Sequence, residues 1–195
     1  VLEPEKLLQP HSKVDSSTPE LRETQHYFLD LSKLEPEVAN FLRQRQSYWR
    51  ETVIGQSLGQ IESEGLRSRP ITRDLDWGIP VPVEGWKGKC LYVWFEAVIG
   101  YLSAAIEWAQ IDGQPEAWKD WWQDPAAKAF YFIGKDNIFF HAAWWPAQLL
   151  GVGTQFTKIF SEEEGKALTL PYNVPANQFM NLEGQKISGS RNWAV

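Results

Sequence analysis

Residues 129–151, AFYFIGKDNIFFHAAWWPAQLLG, restrict the folds open to this chain more than any other stretch. Residues 129–133 form a short aromatic and apolar run that stops at Gly134, the pattern of a strand buried on both faces. Asp136 suits an N-cap, residues 138–150 read as the apolar helix behind it, Pro146 predicts a bend, and Gly151 offers a stop. In a parallel sheet, ligands collect where such a strand ends and the next helix presents its positive terminus. Gly134, Lys135, Asp136 and Asn137 therefore fall at a candidate site. His141, four residues beyond Asn137, shares a helix face with it. Among Phe139, Phe140, Trp144 and Trp145 a histidine is more often core than ligand contact, so spacing alone leaves both readings open.

The chain of 195 residues is 43% hydrophobic with eleven tryptophans, enough to bury a substantial core as one domain or two small ones. No apolar run reaches transmembrane length, and VLEPEKLLQP lacks the basic start and apolar centre of a signal peptide, so a cytoplasmic protein is expected. Cys90, alone of its kind, excludes an internal disulfide and a cysteine-rich zinc site and reads as an inert strand residue. A formal net charge of −6 supplies no overall basic field for nucleic acid. Val1 at the start and Trp193, Ala194 and Val195 at the end read as the limits of a piece cut from a longer protein.

Taken in order, residues 1–33 read as a connector leading into a strand around residues 26–29. Val38, Phe41 and Leu42 then mark an amphipathic helix behind Pro36, and Ile54, Leu58 and Ile61 a second one closed by Gly65. Arg43, Arg45 and Arg50 are most simply a solvated face. The segment RPITRDLDWGIPVPVEGWKGK is too rich in proline and glycine for regular helix; within it Arg73 either pairs with Asp74 or faces an anion. Residues 91–95 read as a buried strand, residues 97–108 as a helix, and residues 156–160 as a third strand. The alternation predicts an α/β fold with a parallel sheet. Residues 161–175 read as a polar loop and residues 178–182 as a short strand. The closing loop EGQKISGS sets Lys186 among small residues whose backbone N–H groups can face phosphate.

Three stretches, LYVWFEAVIGY at 91–101, FIGKDNIFFHAAWWPA at 132–147 and NLEGQKISGSRNWAV at 181–195, resemble in order and spacing the second half of the catalytic domain of the methionyl-tRNA synthetases, a class I aminoacyl-tRNA synthetase family. ITRDLDWGIPVP at 71–82 is similar to the family's segment before the first of them, and residues 1–70 to the tail of its connective insertion. The resemblance implies a Rossmann-like half domain over residues 73–195 ending at a KMSKS-type loop, preceded by a small helical α+β insertion segment over residues 1–72. It implies an enzyme that joins methionine to ATP, taken with magnesium, and passes the methionyl group to tRNA(Met). Trp94, Ala97, Tyr101, Asn137 and His141 would bind the amino acid. Gly134 and Asp136 would lie beside the adenylate, and Lys186, Ile187, Ser188, Gly189 and Ser190 would form the phosphate loop, with Lys186, Ser188 and Ser190 catalytic. No metal site is expected in this stretch. The ATP-binding first half of the sheet and the anticodon-binding domain are missing from it, so the chain alone is expected to be inactive. Gly189 stands where the family's loop usually has a second lysine, and Val98 where many relatives have proline. The reading from a different class is a non-catalytic binding or assembly module that keeps the synthetase fold.

Overall fold

Apolar spacing sets the first two helices. α1 (Glu35–Arg43) has Pro36 in its first turn and turns Val38, Ala39, Phe41 and Leu42 inward. α2 (Glu51–Glu64) buries Val53, Ile54, Leu58 and Ile61 and stops at Gly65, whose φ of 70° is open to glycine at little cost. The Leu66 N–H then donates to Glu35 Oε2 at 2.6 Å, tying the end of α2 to the start of α1. The computed structural model describes residues 10–12, 15–155, 166–179, 181–182 and 185–187.

Around the helical pair, β1 (Phe28–Leu29) lies antiparallel to β2 (Arg69–Pro70), and β3 (Thr72–Arg73) antiparallel to β4 (Cys90–Leu91). The strand read over 91–95 ends early. Helix α3 (Val93–Glu96) follows at once, then a 3-10 turn (Ala97–Ile99) and α4 (Gly100–Ile111). The β3–β4 register explains the stop: continued, it would set residue 93 opposite Pro70, which has no N–H and is already paired with Phe28. Cys90 is a buried strand residue, as its sequence context predicts.

A short helix α5 (Lys119–Trp122) precedes β5 (Ile133–Gly134), which pairs in parallel with β6 (Ala176–Asn177). A parallel bridge from Phe130 to Asn173 extends that pairing backwards. The strand expected at 156–160 lies outside the described residues, and the parallel partner is drawn from residues 173–177, most of which read as loop. Nor is the strand buried on both faces. Tyr131 is buried, whereas Phe130 and Phe132 are 49% and 75% exposed. After a 3-10 turn (Lys135–Asn137), Phe140–Trp144 form a π-helical turn that runs into α6 (Trp145–Val152). The helix is closed by Gly153; Gly151 lies inside it, where a Cβ would come 3.1 Å from Leu34 Cδ1. β7 (Asn181–Leu182) and β8 (Gln185–Lys186) form a hairpin. No helix among the described residues is long and apolar enough to cross a membrane.

One continuous core runs from Leu31, Val38 and Leu42 through Val98 and Leu102 to Trp144, Trp145 and Ala176. Polar bonds join the connector between α1 and α2 to the β6 segment. Trp49 Nε1 donates to Tyr172 O at 2.7 Å, Arg50 Nη1 to Ala176 O at 2.6 Å, and Arg45 Nε to Pro171 O at 3.0 Å. Arg45 also stacks over the Phe41 ring at 3.8 Å. Arg45, half-buried, and Arg50, exposed but bonded at its guanidinium, are thus tied to this segment and not free on a solvated face, because carbonyls next to the core need donors. Trp49→Phe and Arg50→Ala should each lower stability by about 1–2 kcal/mol, and Arg43→Ala by less than about 0.5 kcal/mol. Urea unfolding followed by circular dichroism measures the three; equal losses would contradict the assignment.

Candidate functional site

A wall of aromatic rings gathers where β5 ends. Trp94 on α3 stacks on Phe140 of the π turn, with centroids 4.9 Å apart and planes 20° from parallel. Tyr101 on α4 meets Tyr131 edge to face at 5.0 Å and His141 at 5.7 Å, and Tyr131 lies 5.8 Å from His141. Trp94, Ala97 and Tyr101 are exposed, while His141 is buried at their base. Trp145 Nε1 donates to Tyr131 Oη at 3.0 Å.

The histidine is held at both nitrogens. Nδ1 lies 2.9 Å from the Asn137 carbonyl oxygen and Nε2 lies 2.9 Å from Tyr101 Oη. A carbonyl can only accept, so Nδ1 bears the proton. In the neutral ring Nε2 must then accept the Tyr101 O–H. Burial lowers the pKa of His141, only partly offset by its bond to the Asn137 carbonyl. Burial also raises those of both tyrosines, Tyr131 to about 12. The wall is therefore uncharged at neutral pH. It suits an apolar or thioether side chain and would impose a desolvation penalty on a charged one.

Gly134 is extended and precedes the 3-10 turn of Lys135, Asp136 and Asn137. Asp136 is not an N-cap, because the helix begins one turn earlier than the sequence suggests; its side chain is exposed. Asn137 takes part through its backbone carbonyl. Trp94, Tyr101, Asn137 and His141 are thus brought together with Phe140, and Gly134 and Asp136 lie on the adjoining turn. Lys186 ends the β8 strand and Ile187 is half-buried, whereas Ser188, Gly189 and Ser190 lie outside the described residues. Among the described residues no group of three or more His, Cys, Asp or Glu side chains is placed to hold a metal ion. Tyr131 and Trp145 were not singled out by sequence reasoning. Strand alternation carries the signal for Tyr131, since it shares a face with Ile133 and not with Phe130 or Phe132.

Arg73 forms no pair with Asp74. Its guanidinium donates to the Pro70 and Thr72 carbonyls and lies 3.8 Å over Tyr92, while Asp74 accepts from Lys89 and Thr24. A separate apolar cavity of about 530 Å³ opens on another face of α4, between Phe95, Ile99, Leu102, Trp145 and Val152. It contains none of the candidate residues.

The sequence model of the family described as tRNA synthetases class I (M) matches residues 1–195. The methionine–tRNA ligase of Thermomicrobium roseum is 49% identical over 189 residues, 97% of this chain and 30% of that protein. That of Roseiflexus castenholzii is 49% identical over 201 residues, 99% of this chain and 32% of that protein. The chain spans about a third of the length of the curated relatives it matches. Among solved structures, Mycobacterium tuberculosis methionyl-tRNA synthetase in complex with methionyl-adenylate superimposes with a TM-score of 0.66 at 26% identity. That match covers 95% of this chain and 32% of the other. The free form of the same enzyme gives 0.60 at 25% identity, over 87% and 30%.

The His141 geometry makes a pH statement. Its folded pKa lies below the ordinary 6.5, so the unfolded chain binds the proton more readily between the two values. Stability from this residue is present above pH 6.5 and is lost as the pH falls through the lowered folded value. His26 is lowered as well, mainly by burial, and adds to the same trend. Long-range ¹⁵N–¹H spectra of the imidazoles separate the two. They should show His141 as the Nδ1–H tautomer at neutral pH, titrating below 6.5. An Nε2–H signature would contradict the bonding pattern.

Proposed function

The chain belongs to the class I tRNA synthetases (M), and we propose that it is the second half of the catalytic domain of a methionine–tRNA ligase, with a cytoplasmic setting. In this reading methionine and ATP form methionyl-adenylate and pyrophosphate, and the methionyl group then passes to tRNA(Met). The observation that supports it best is the uncharged Tyr101–His141–Asn137 chain set in an aromatic wall beside the turn after β5. The complex of the Mycobacterium relative with methionyl-adenylate supports the same substrate class. Residues 1–72 serve as the end of the connective insertion and residues 73–195 as the catalytic half, a division by role.

Trp94, Ala97 and Tyr101 would bound the amino-acid side chain, with His141 at the base, so that the thioether packs on ring edges and side-chain length is measured. Gly134 and Asp136 would lie beside the amino acid and the adenosine. Attack of the methionine carboxylate on the α-phosphorus forms the acyl-phosphate bond and breaks the bond to the departing pyrophosphate. Chemistry of this kind relies on positioning and on charge stabilisation, with no covalent protein intermediate. Lys186, with backbone N–H groups and the hydroxyls of Ser188 and Ser190, would face the departing pyrophosphate, and Ile187 and Gly189 complete the loop. Magnesium would enter with ATP, held chiefly by phosphate oxygens and water.

Two outcomes test this. The 195-residue chain should give no methionine-dependent exchange of pyrophosphate into ATP, because it spans about a third of its relatives' length and on this reading lacks the ATP-binding first half of the sheet; robust exchange would contradict the division. In the full-length parent, Lys186→Ala should slow single-turnover adenylate formation by about 2–4 kcal/mol while changing methionine binding little. An unaffected rate would remove Lys186 from the phosphate role.

A further inference from the structure

We propose that Tyr131 is a positioning residue for amino-acid recognition: it fixes the orientation of the Tyr101–His141 pair and is itself fixed by Trp145. This rests on the reading of Tyr101 and His141 as amino-acid-binding residues.

The three rings of Tyr101, Tyr131 and His141 form a triangle with sides of 5.0, 5.7 and 5.8 Å. Two of its members are tied elsewhere. His141 is held by the Asn137 carbonyl, and Tyr131 by Trp145 through the bond to its hydroxyl. Tyr101 is 44% exposed; it bonds His141 Nε2 through its hydroxyl and meets the rings of His141 and Tyr131 edge to face. Without Tyr131, the phenol would be held from the His141 side alone and its ring could turn about the axis through its hydroxyl. Tyr131 therefore decides which way the exposed face of Tyr101 is presented.

Simple space filling does not explain the hydroxyl. The same strand carries phenylalanine at 130 and 132, and a phenyl ring at 131 would make the same edge contacts. A hydroxyl in a residue only 7% exposed is tolerated because it accepts from Trp145. What the oxygen adds is a fixed ring plane, 74° from Tyr101 and 52° from His141.

The test compares Tyr131→Phe and Tyr131→Leu with the wild type in the full-length parent, by amino-acid-dependent exchange of pyrophosphate into ATP. Tyr131→Phe removes the anchor and should raise KM for methionine about 3- to 10-fold, the worth of one hydrogen bond. Tyr131→Leu also removes the ring edge and should raise it about 10- to 100-fold. KM for ATP should stay within about 2-fold in both, because a structural lesion would move the two substrates together. An unchanged methionine KM in Tyr131→Phe, or a matching rise for ATP, overturns the inference; if Tyr131→Leu does not fold, the phenylalanine variant decides alone. A parent that activates a different amino acid would overturn the functional reading instead, and the same KM comparison would then be made with that amino acid.

Discussion

The bond from the His141 imidazole to the Asn137 carbonyl is the contact on which the site depends. It fixes the proton on Nδ1, which leaves Nε2 as an acceptor and turns the Tyr101 hydroxyl toward it. Burial then favours the neutral ring. A protonated imidazole would still bond the carbonyl but would no longer accept from Tyr101, so the uncharged state and the geometry support each other. His141 lies within a π-helical turn, Phe140–Trp144, and such turns change the registry of side chains relative to an α-helix. Phe140 meets Trp94 across this turn, while Trp145 reaches Tyr131 just beyond it.

That arrangement is held from behind by a second set of contacts. The connector between α1 and α2 donates three side-chain hydrogen bonds to the carbonyls of residues 171, 172 and 176, on the segment that pairs with β5. The segment leading into β5 delivers Tyr131 to the aromatic wall, and β5 delivers Gly134 to the turn. The helical segment and the candidate site therefore share one core, and loosening the connector loosens the strand that aims Tyr131. Phe130 and Phe132 lie on the opposite side of the same segment, where Tyr172 packs against Phe130 and Phe132 stays 75% exposed.

Much of this was legible in the sequence because it depends on local rules. The spacing of Val38, Phe41 and Leu42, and of Ile54, Leu58 and Ile61, marks two helices whatever packs on them, and Gly65 ends the second through its backbone alone. The motifs at 91–101, 132–147 and 181–195 carried the family resemblance, and the candidate residues Trp94, Tyr101 and His141 came with them. Other features depend on partners distant in the chain. Residues 93–96 have strand-forming composition yet are helical, because the facing position is Pro70. Arg45 and Arg50 resemble a solvated face until carbonyls more than 120 residues away are placed beside them.

The sequence by itself determined the two helices α1 and α2, the presence of a turn after β5, the single cysteine and the family, since periodicity, turn chemistry and motif spacing are properties of neighbouring residues. Only the tertiary structure decided which tautomer His141 adopts, which residues pair with β5, and that Tyr131 stands between Tyr101 and Trp145. The bond that places the proton on Nδ1 spans only four positions, but the Tyr101 and Trp145 bonds and the pairing of β5 meet across 14 to 43 positions of the chain. A linear pattern does not encode such a meeting, because its geometry is set by the packing of the whole core.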